Sequence, residues 1–387
     1  MITIRALRSK ELRQVKHLLR SHFEQPAESQ TRGAQKTQAQ EASPYPHHLQ
    51  DLTAETLQDA AEPNPYQHIL NELNLLNLPL HGLSQLLPPQ WQFMPAMFVA
   101  ASPEHVLGLI CLSQDGAKKS RWRIDEMIID ADVSAYDVGS QLLNYVINRY
   151  GGSGVQTFIA KVSPDQDQAL GLFKSCGFRH CSRVHLYRHP NPASRFDKRD
   201  SHLNKHVGIQ GLRPVNSNDY DKLLQLDREC LPVETRLSLE KDRLDFQQTL
   251  SQNINRRLQG HLHVEWVVED VARDLLMGWL RIESVDFKHY RVTFLAHHAW
   301  PALVESLVDR ALRQIVNTTR SAEVEIEVYD CHKEQLAHLE AIGFERQSTA
   351  EILVKDYWIQ LNEPRKGHRS PLLIFEGGRT SPAVNYR

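Results

Sequence analysis

Two stretches of the chain repeat each other, and that repeat limits the fold more than any other feature. Ile2, Ile4, Arg5, Ala6 and Leu7 read as a strand and lead into a helical face of Leu12, Val15, Leu18 and Leu19. Ile209, Leu212, Arg213, Pro214 and Val215 do the same ahead of a helix at Tyr220 to Leu226. Arg5 and Arg213 lie 208 positions apart, whereas Gly177-Phe178-Arg179 returns as Gly343-Phe344-Glu345 only 166 positions on. The difference, 208 − 166 = 42, is about the length of the stretch from Glu24 to Pro63, which is rich in Gln, Ala, Ser, Thr and Pro. That stretch is too poor in large apolar residues to offset the entropy of ordering, so it reads as a mostly disordered insertion in the first copy alone. Between the anchors, Phe98 and Gly108 find Val264 and Gly278, and Trp122-Arg123-Ile124 finds Tyr290-Arg291-Val292.

Periodicity in the first copy gives a strand and helix, and then a Leu-rich helical stretch at Ile69 to Leu87. Strands follow at Ala96–Ala100, Val106–Leu112 and Ile124–Ile129, and a helix at Gly139–Tyr150. A strand near Val155–Val162, a helix at Gln166–Ser175 and two short strands ending at Tyr187 complete it. The fold class is therefore α/β (α+β), with two tandem domains, each a mixed, mostly antiparallel sheet flanked by helices. The first domain spans 1–190 with the insertion at about 24–63. A charged linker at 191–207, a second domain at 208–363 and a mobile Gly, Pro and Arg-rich tail at 364–387 follow. The 387 residues suit two domains.

The loop that leads into the helix at Gly139 carries the chemistry. A phosphate approaches backbone N–H groups at a helix N-terminus, where the dipole favours an anion and a Cβ would obstruct it. Gly139 and Ser140 supply that position; Ser134 and Asp137 precede them, and Asp137 is also a common helix-capping residue type. Further on, Gln166-Asp167-Gln168-Ala169-Leu170-Gly171-Leu172-Phe173 runs up to Gly177-Phe178.

This element order, the Gly139-Ser140 helix start and the Ala169, Leu172, Gly177, Phe178 pattern resemble the GNAT family of N-acetyltransferases. Both copies resemble it outside the insertion, linker and tail. The resemblance implies acetyl-CoA as co-substrate, held by Ile129, Val138, Gly139, Ser140, Gln141, Gln166 and Phe173. It also implies a fourth strand splayed from the fifth, with a carbonyl oxygen held by an N–H near Ile129, and Asp125 or Glu126 as a base. Those two carboxylates are expected on opposite faces of the strand. The sequence departs from the family at Ser134, at Asp137, and at Phe173, which stands where the family often has a proton-donating Tyr; thiolate protonation would then fall to water or to another group such as Tyr187 or Tyr145. In the second copy no glycine occurs from Trp279 to Ile342, and Leu307 or Val308 is expected where the phosphate needs bare backbone. That half should not take CoA in the family's manner.

Other chemistry finds little support. There are 45 Lys plus Arg against 47 Asp plus Glu, a net charge of −2, so no overall field draws the chain to nucleic acid. Arg195, Lys198, Arg199 and Lys205 are mixed with Asp197 and Asp200. No metal site is expected, because His261, His263, His297 and His298 lack a His-x-x-x-His spacing or a Cys pair, and His47-His48 lie in the insertion. Gly-x-Ser-x-Gly, P-loop and Gly-x-Gly-x-x-Gly motifs are missing. Five scattered cysteines, no signal-peptide pattern and no long apolar run point to a cytoplasmic protein without a membrane anchor.

Two function classes follow. The first is an acetyl-CoA-dependent N-acyltransferase acting through the N-terminal domain on a small-molecule or peptide amine. The second is a non-catalytic GNAT-like protein that binds a partner or senses acyl-CoA. In either case deletion of residues 24–63 should leave the melting temperature within a few degrees of the full chain, as differential scanning calorimetry would show. A larger drop would mean that the stretch contributes to the core.

Overall fold

The structure, a computed structural model, describes residues 2–24, 94–196, 209–247 and 260–357, with Ser84, 87–89 and Gln92 besides. The expected insertion, the Leu-rich stretch before Ser84, most of the linker and the tail lie outside these residues. The first half comprises β1 (Thr3–Ala6), α1 (Leu12–Glu24), β2 (Ala96–Ala101), β3 (Val106–Gln114) and β4 (Arg121–Ile129). It continues with α2 (Ala135–Gly151), β5 (Thr157–Val162), α3 (Asp167–Ser175) and β6 (Arg179–His189). The second half comprises β7 (Leu212–Pro214), α4 (Tyr220–Cys230), α5 (Val233–Leu239), α6 (Arg243–Phe246), β8 (Leu262–Asp270) and β9 (Leu275–Ser284). It ends with β10 (His289–Ala296), α7 (Leu303–Thr318), β11 (Glu323–Tyr329), α8 (Lys333–Ala341) and β12 (Glu345–Asp356). Where alternation suggested two short strands before Tyr187, the chain makes the single strand β6.

All twelve strands form one sheet in the order β1-β2-β3-β4-β5-β12-β6-β11-β10-β9-β8-β7. The last strands of the two halves are exchanged. β12 lies antiparallel between β5 and β6, pairing Leu353 with Ala160, while β6 lies antiparallel to β11, pairing Tyr187 with Ile326. Each half thus closes its sheet with the other's final strand, about a pseudo-twofold axis between β6 and β12.

The repeat is visible atom by atom. Arg5 donates from Nε to Glu11 at 2.8 Å, and the second Glu11 oxygen accepts from the Arg8 N–H. In the second half Arg213 donates to both Asp219 oxygens at 2.7 Å, and Asp219 accepts from the Asn216 N–H. All three positions keep the offset of 208. Burial alone would raise the Asp219 carboxyl. The hydrogen bonds from Arg213 and Asn216 outweigh burial and hold it below the ordinary carboxylate range. The Gly-Phe anchor repeats as well, with Phe178 N–H donating to Phe173 O and Phe344 N–H to Leu339 O.

Elsewhere the registers correct the sequence alignment. Ala100 pairs with Gly108 and Val268 with Gly278, so Phe98 corresponds to Trp266, two residues beyond Val264. A Cβ on Gly108 would meet Leu142 and Val138, and one on Gly278 would meet Leu303 and Leu307. Helix α2 therefore matches α7 at an offset of 165, and Val304, not Leu307 or Val308, takes the place of Gly139. Leu307 and Val308 are fully buried core residues of the second half.

Helices cover both faces of the sheet. On one face α2 and α3 pack on β2–β5 around Trp122, Tyr150 and Phe158, and α7 and α8 pack on β9–β11 around Tyr290 and Phe344. On the other, α1 covers Val99, Leu109 and Ile128, and α4 and α6 cover Val267 and Trp279. Leu231, just before α5, and Leu239, its last residue, reach the central strands at Ile159, Val184, Ile352 and Val354. Arg121 on β4 donates to the carbonyls of Ser238 and Glu240, which ties the first half to α5 of the second.

A fragment of residues 1–190 lacks β11 and β12, which leaves β5 unpaired on one edge and β6 unpaired on both. It should therefore aggregate, or pair with its own copy, in size-exclusion chromatography; a monomer as heat-stable as the full chain would contradict the exchanged arrangement. Asp219→Ala should lower stability by about 2–3 kcal/mol in urea unfolding, because it strips a buried pair of charge-assisted hydrogen bonds. Since the folded Asp219 value is depressed, that contribution is complete above the ordinary carboxylate pKa and fades as pH falls through the folded one. The wild-type advantage should therefore shrink in acid.

Candidate functional site

Both halves open a gap in the sheet at matching positions. β4 and β5 run parallel and pair from Arg121↔Thr157 to Ile124↔Ala160, after which no further pairs form. β10 and β11 likewise pair from His289↔Glu323 to Val292↔Ile326 and then part. A parted parallel pair leaves backbone N–H and C=O groups on the exposed strand edge. The Asp130 N–H donates to Leu107 O on the β3 side, so alternation turns the N–H of Ile129 toward the first gap.

Opposite Cys111 and Leu112 of β3, β4 carries a β-bulge, where Ile124 and Glu126 are the paired residues and Asp125 is the extra one. The bulge overturns the expectation that Asp125 and Glu126 point to opposite faces. Asp125 accepts from Arg123 Nε at 2.7 Å on the face away from Trp122 and Ile124. Glu126 pairs with Cys111 in the core beneath α1. Burial, followed by the charges of Asp125 and Glu126, pushes the Cys111 thiol upward, which fits two carboxylates on one side. Farther along the chain, a cavity of about 620 Å³ lies between Arg13 and His17 of α1 and the residues Ile129, Asp130 and Asp132 at and beyond the end of β4.

At the start of α2, Ser134 is the N-cap and accepts from the Asp137 N–H at 3.3 Å, while Ser140 Oγ donates back to Asp137 O. The first-turn residues Ala135, Tyr136 and Asp137 are exposed, as is Gln141. Val138 and Gly139 are buried. A Cβ on Gly139 would stand 2.5 Å from Leu172 Cδ2 and 2.9 Å from Ile129 Cδ1, so this glycine lets α2 close on α3 and β4. Gln166 is the exposed N-cap of α3 and makes no side-chain capping bond. Phe173 is buried edge-on to Phe178, with ring centres 5.0 Å apart. The structure thus groups Ile129, Val138, Gly139 and Phe173 in and around one apolar core, with Ser140, Gln141 and Gln166 at its rim.

The two proton-donor candidates lie elsewhere. Strand exchange carries Tyr187 into the core of the second half, where its hydroxyl donates to Glu340 at 2.7 Å. Tyr145 packs against the Phe98 ring.

The second gap is open. A cavity of about 190 Å³ lies between Thr293–Ala296 and Glu327–Tyr329 and reaches Asp227, Leu239 and Lys241 on the far face. It shares Cys230, Leu231, Ala296, His332 and Gln335 with a second cavity of about 580 Å³, bounded by the 297–302 loop and the starts of α7 and α8. Cys230 Sγ donates to Ala296 O at 3.4 Å, and burial, followed by the Asp227 charge, pushes that thiol up to about 12. Burial also raises the Tyr329 hydroxyl and lowers the His332 imidazole, which keeps both neutral. The loop uses its own donors: Trp300 N–H bonds His297 O, Leu303 N–H bonds Trp300 O and Val304 N–H bonds Pro301 O. Sequence reasoning did not connect Cys230, Tyr329 and His332, because only the register of β10 against β11 brings them to one gap. Among the described residues no group of three or more His, Cys, Asp or Glu is arranged to hold a metal ion, and no helix is long and apolar enough to cross a membrane.

Residues 67–178 match the family model described as the acetyltransferase (GNAT) family. No curated protein matches the chain. Among solved structures, a tandem GNAT protein from the clavulanic acid biosynthesis pathway superposes with a TM-score of 0.51 at 14% identity, over 93% of this chain and 99% of that one. A GCN5-related N-acetyltransferase from Sphaerobacter thermophilus gives 0.49 at 11% identity, over 92% and 96%. Residues 67–178 of the first half thus match the GNAT acetyltransferase family, and the chain has the fold of a tandem GNAT protein.

The packing at Gly139 sets an expected outcome for substitution. Gly139→Val should overpack the α2–α3 contact and lower stability by about 1–3 kcal/mol in urea unfolding. Leu307→Ala should lower it by about 2–5 kcal/mol, since Leu307 is a core residue rather than a plug over a ligand site. An unchanged midpoint for Leu307→Ala would contradict its placement.

Proposed function

We propose that the chain is an acetyl-CoA-dependent N-acyltransferase, working in the cytoplasm through its first half on a small-molecule or peptide amine. The observation that carries this reading is the β4/β5 gap with its bulge at Asp125, which lies inside the segment that matches the acetyltransferase family. The arrangement supplies what a direct transfer needs. A backbone N–H at Ile129 faces the gap, where it can hold the oxygen of a thioester carbonyl as negative charge develops on it. The exposed start of α2 and its dipole favour the phosphate end, although Asp137 opposes it.

In the reaction the neutral amine attacks the thioester carbonyl, a C–N bond forms and the C–S bond breaks. The nitrogen loses its proton to a base and the departing thiolate takes one up. Asp125 and Glu126 stand together on the α1 side of the gap as the candidates for that base, and Asp125 accepts a hydrogen bond from Arg123. Phe173 cannot protonate the thiolate, and Tyr187 and Tyr145 are placed away from the gap, so water serves as the acid.

One observation favours the non-catalytic reading, in which the fold binds a partner or senses acyl-CoA. The space around Gly139 is filled by Leu172 and Ile129. The two readings part in a thiol-release assay with acetyl-CoA and a panel of small-molecule and peptide amines. Wild-type protein should release CoA, and Ile129→Pro, which deletes the N–H, should slow release about 100-fold. Asp125→Asn or Glu126→Gln should cost about 100-fold for whichever carboxylate is the base. Acetyl-CoA binding by calorimetry without release across the panel would favour the sensor; no binding at millimolar ligand would sink the acyltransferase reading.

A further inference from the structure

We propose that the gap between β10 and β11 is a binding site for a short peptide with a free N-terminal ammonium, taken up as an added strand. Three independent features converge there. The first is a strand edge without a partner among the described residues. The ladder stops at Val292↔Ile326, and the His297 N–H is spent on Met277 O on the β9 side. Alternation then turns the N–H and C=O groups of Phe294 and Ala296 into the gap. One of these groups already accepts a stand-in: Ala296 O takes the Cys230 thiol at 3.4 Å. A thiol is a weak donor, so a ligand amide N–H would form the stronger bond there. An extended amide chain is the ligand class that an open strand edge recognises.

The second feature is shape. The inner cavity of about 190 Å³ has apolar walls at Leu231, Leu239, Phe294 and Val328, and it opens into the outer one of about 580 Å³. Of the charged groups that line the inner cavity, Lys241 pairs with Asp227 at 3.3 Å and Glu327 with Lys161 at 2.9 Å, and Arg291 stands opposite Glu325 in the β10/β11 ladder. The inner end therefore suits uncharged side chains.

The third is charge. The outer cavity carries Glu229, Glu305 and Glu334 against Lys333, with four histidines between them. Three carboxylates stand against one lysine, His297 meets Glu229 at 3.1 Å, and Glu305 and Glu334 remain to favour a cation. A phosphate is disfavoured, because the N–H groups of Leu303 and Val304 already bond loop carbonyls and a valine side chain stands at the position of Gly139. Ammonium outside and peptide backbone inside satisfy all three features.

Hydrogen exchange on the full chain tests this without acyl transfer, so failure of the acyltransferase reading would leave it standing. With saturating Ala-Val-Ala amide, exchange of the Phe294 and Ala296 amides should slow at least tenfold. The N-acetylated tripeptide amide should bind at least fivefold more weakly. Glu305→Lys with Glu334→Lys, both on exposed side chains, should weaken the free tripeptide about fivefold, the effect of two partly screened charges, at an unchanged melting temperature. No slowing at Phe294 and Ala296, equal binding of the acetylated peptide, indifference to the double variant, or equal protection by acetyl-CoA would each overturn the proposal.

Discussion

The exchange of β6 and β12 is the contact on which the rest of the molecule depends. Without it β5 and β11 would each expose a row of unpaired backbone groups beside a gap that is already open on the other edge. A strand of only six or seven residues, open on one edge and half-paired on the other, would not hold a gap of defined width. Pairing with the other half's last strand gives each a complete ladder on that side, and the gaps persist as features of a rigid sheet. Arg121 reaching Ser238 and Glu240, and Leu231 and Leu239 on the central strands, fasten the same seam from outside.

From this shared scaffold the two halves diverge at one loop. The first enters its helix through an N-cap serine with exposed residues in the first turn, and a glycine allows α2 to close on α3. The second enters through a chain of tight turns that consume their own N–H groups, with Val304 in the glycine's place. The closer packing of the first half and the open channel of the second are consequences of those side chains. Paired strands set where the gap lies, while the loop and the neighbouring helices set what can enter it.

Several features were legible from residues alone. The offset of 208 between Arg5 and Arg213 corresponds to a real pair of ion pairs, because a strand arginine and a helix-start carboxylate six residues on are local in sequence. The order of strands and helices followed from periodicity for the same reason. The Gly-Phe anchors held because each ends a helix by a local hydrogen bond to the residue five before. Alignment of α7 on α2 slipped, since apolar stripes at helical spacing match themselves every three or four residues. Only the contacts of Gly108 and Gly278 with the helix above them settle that register.

What the sequence determined by itself was therefore local and periodic: the elements, the repeat, and the residues able to cap or close-pack. Tertiary structure decided the rest, because it depends on pairs far apart in the chain. The bulge that brings Asp125 and Glu126 to one side is a property of β4 against β3. Tyr187 belongs to the second half because β6 pairs with β11, and Cys230 meets Ala296 across 66 residues because α4 packs over the second gap. Alternation within one strand says which residues share a face; it says nothing of which strand lies alongside, and here that neighbour comes from the other half.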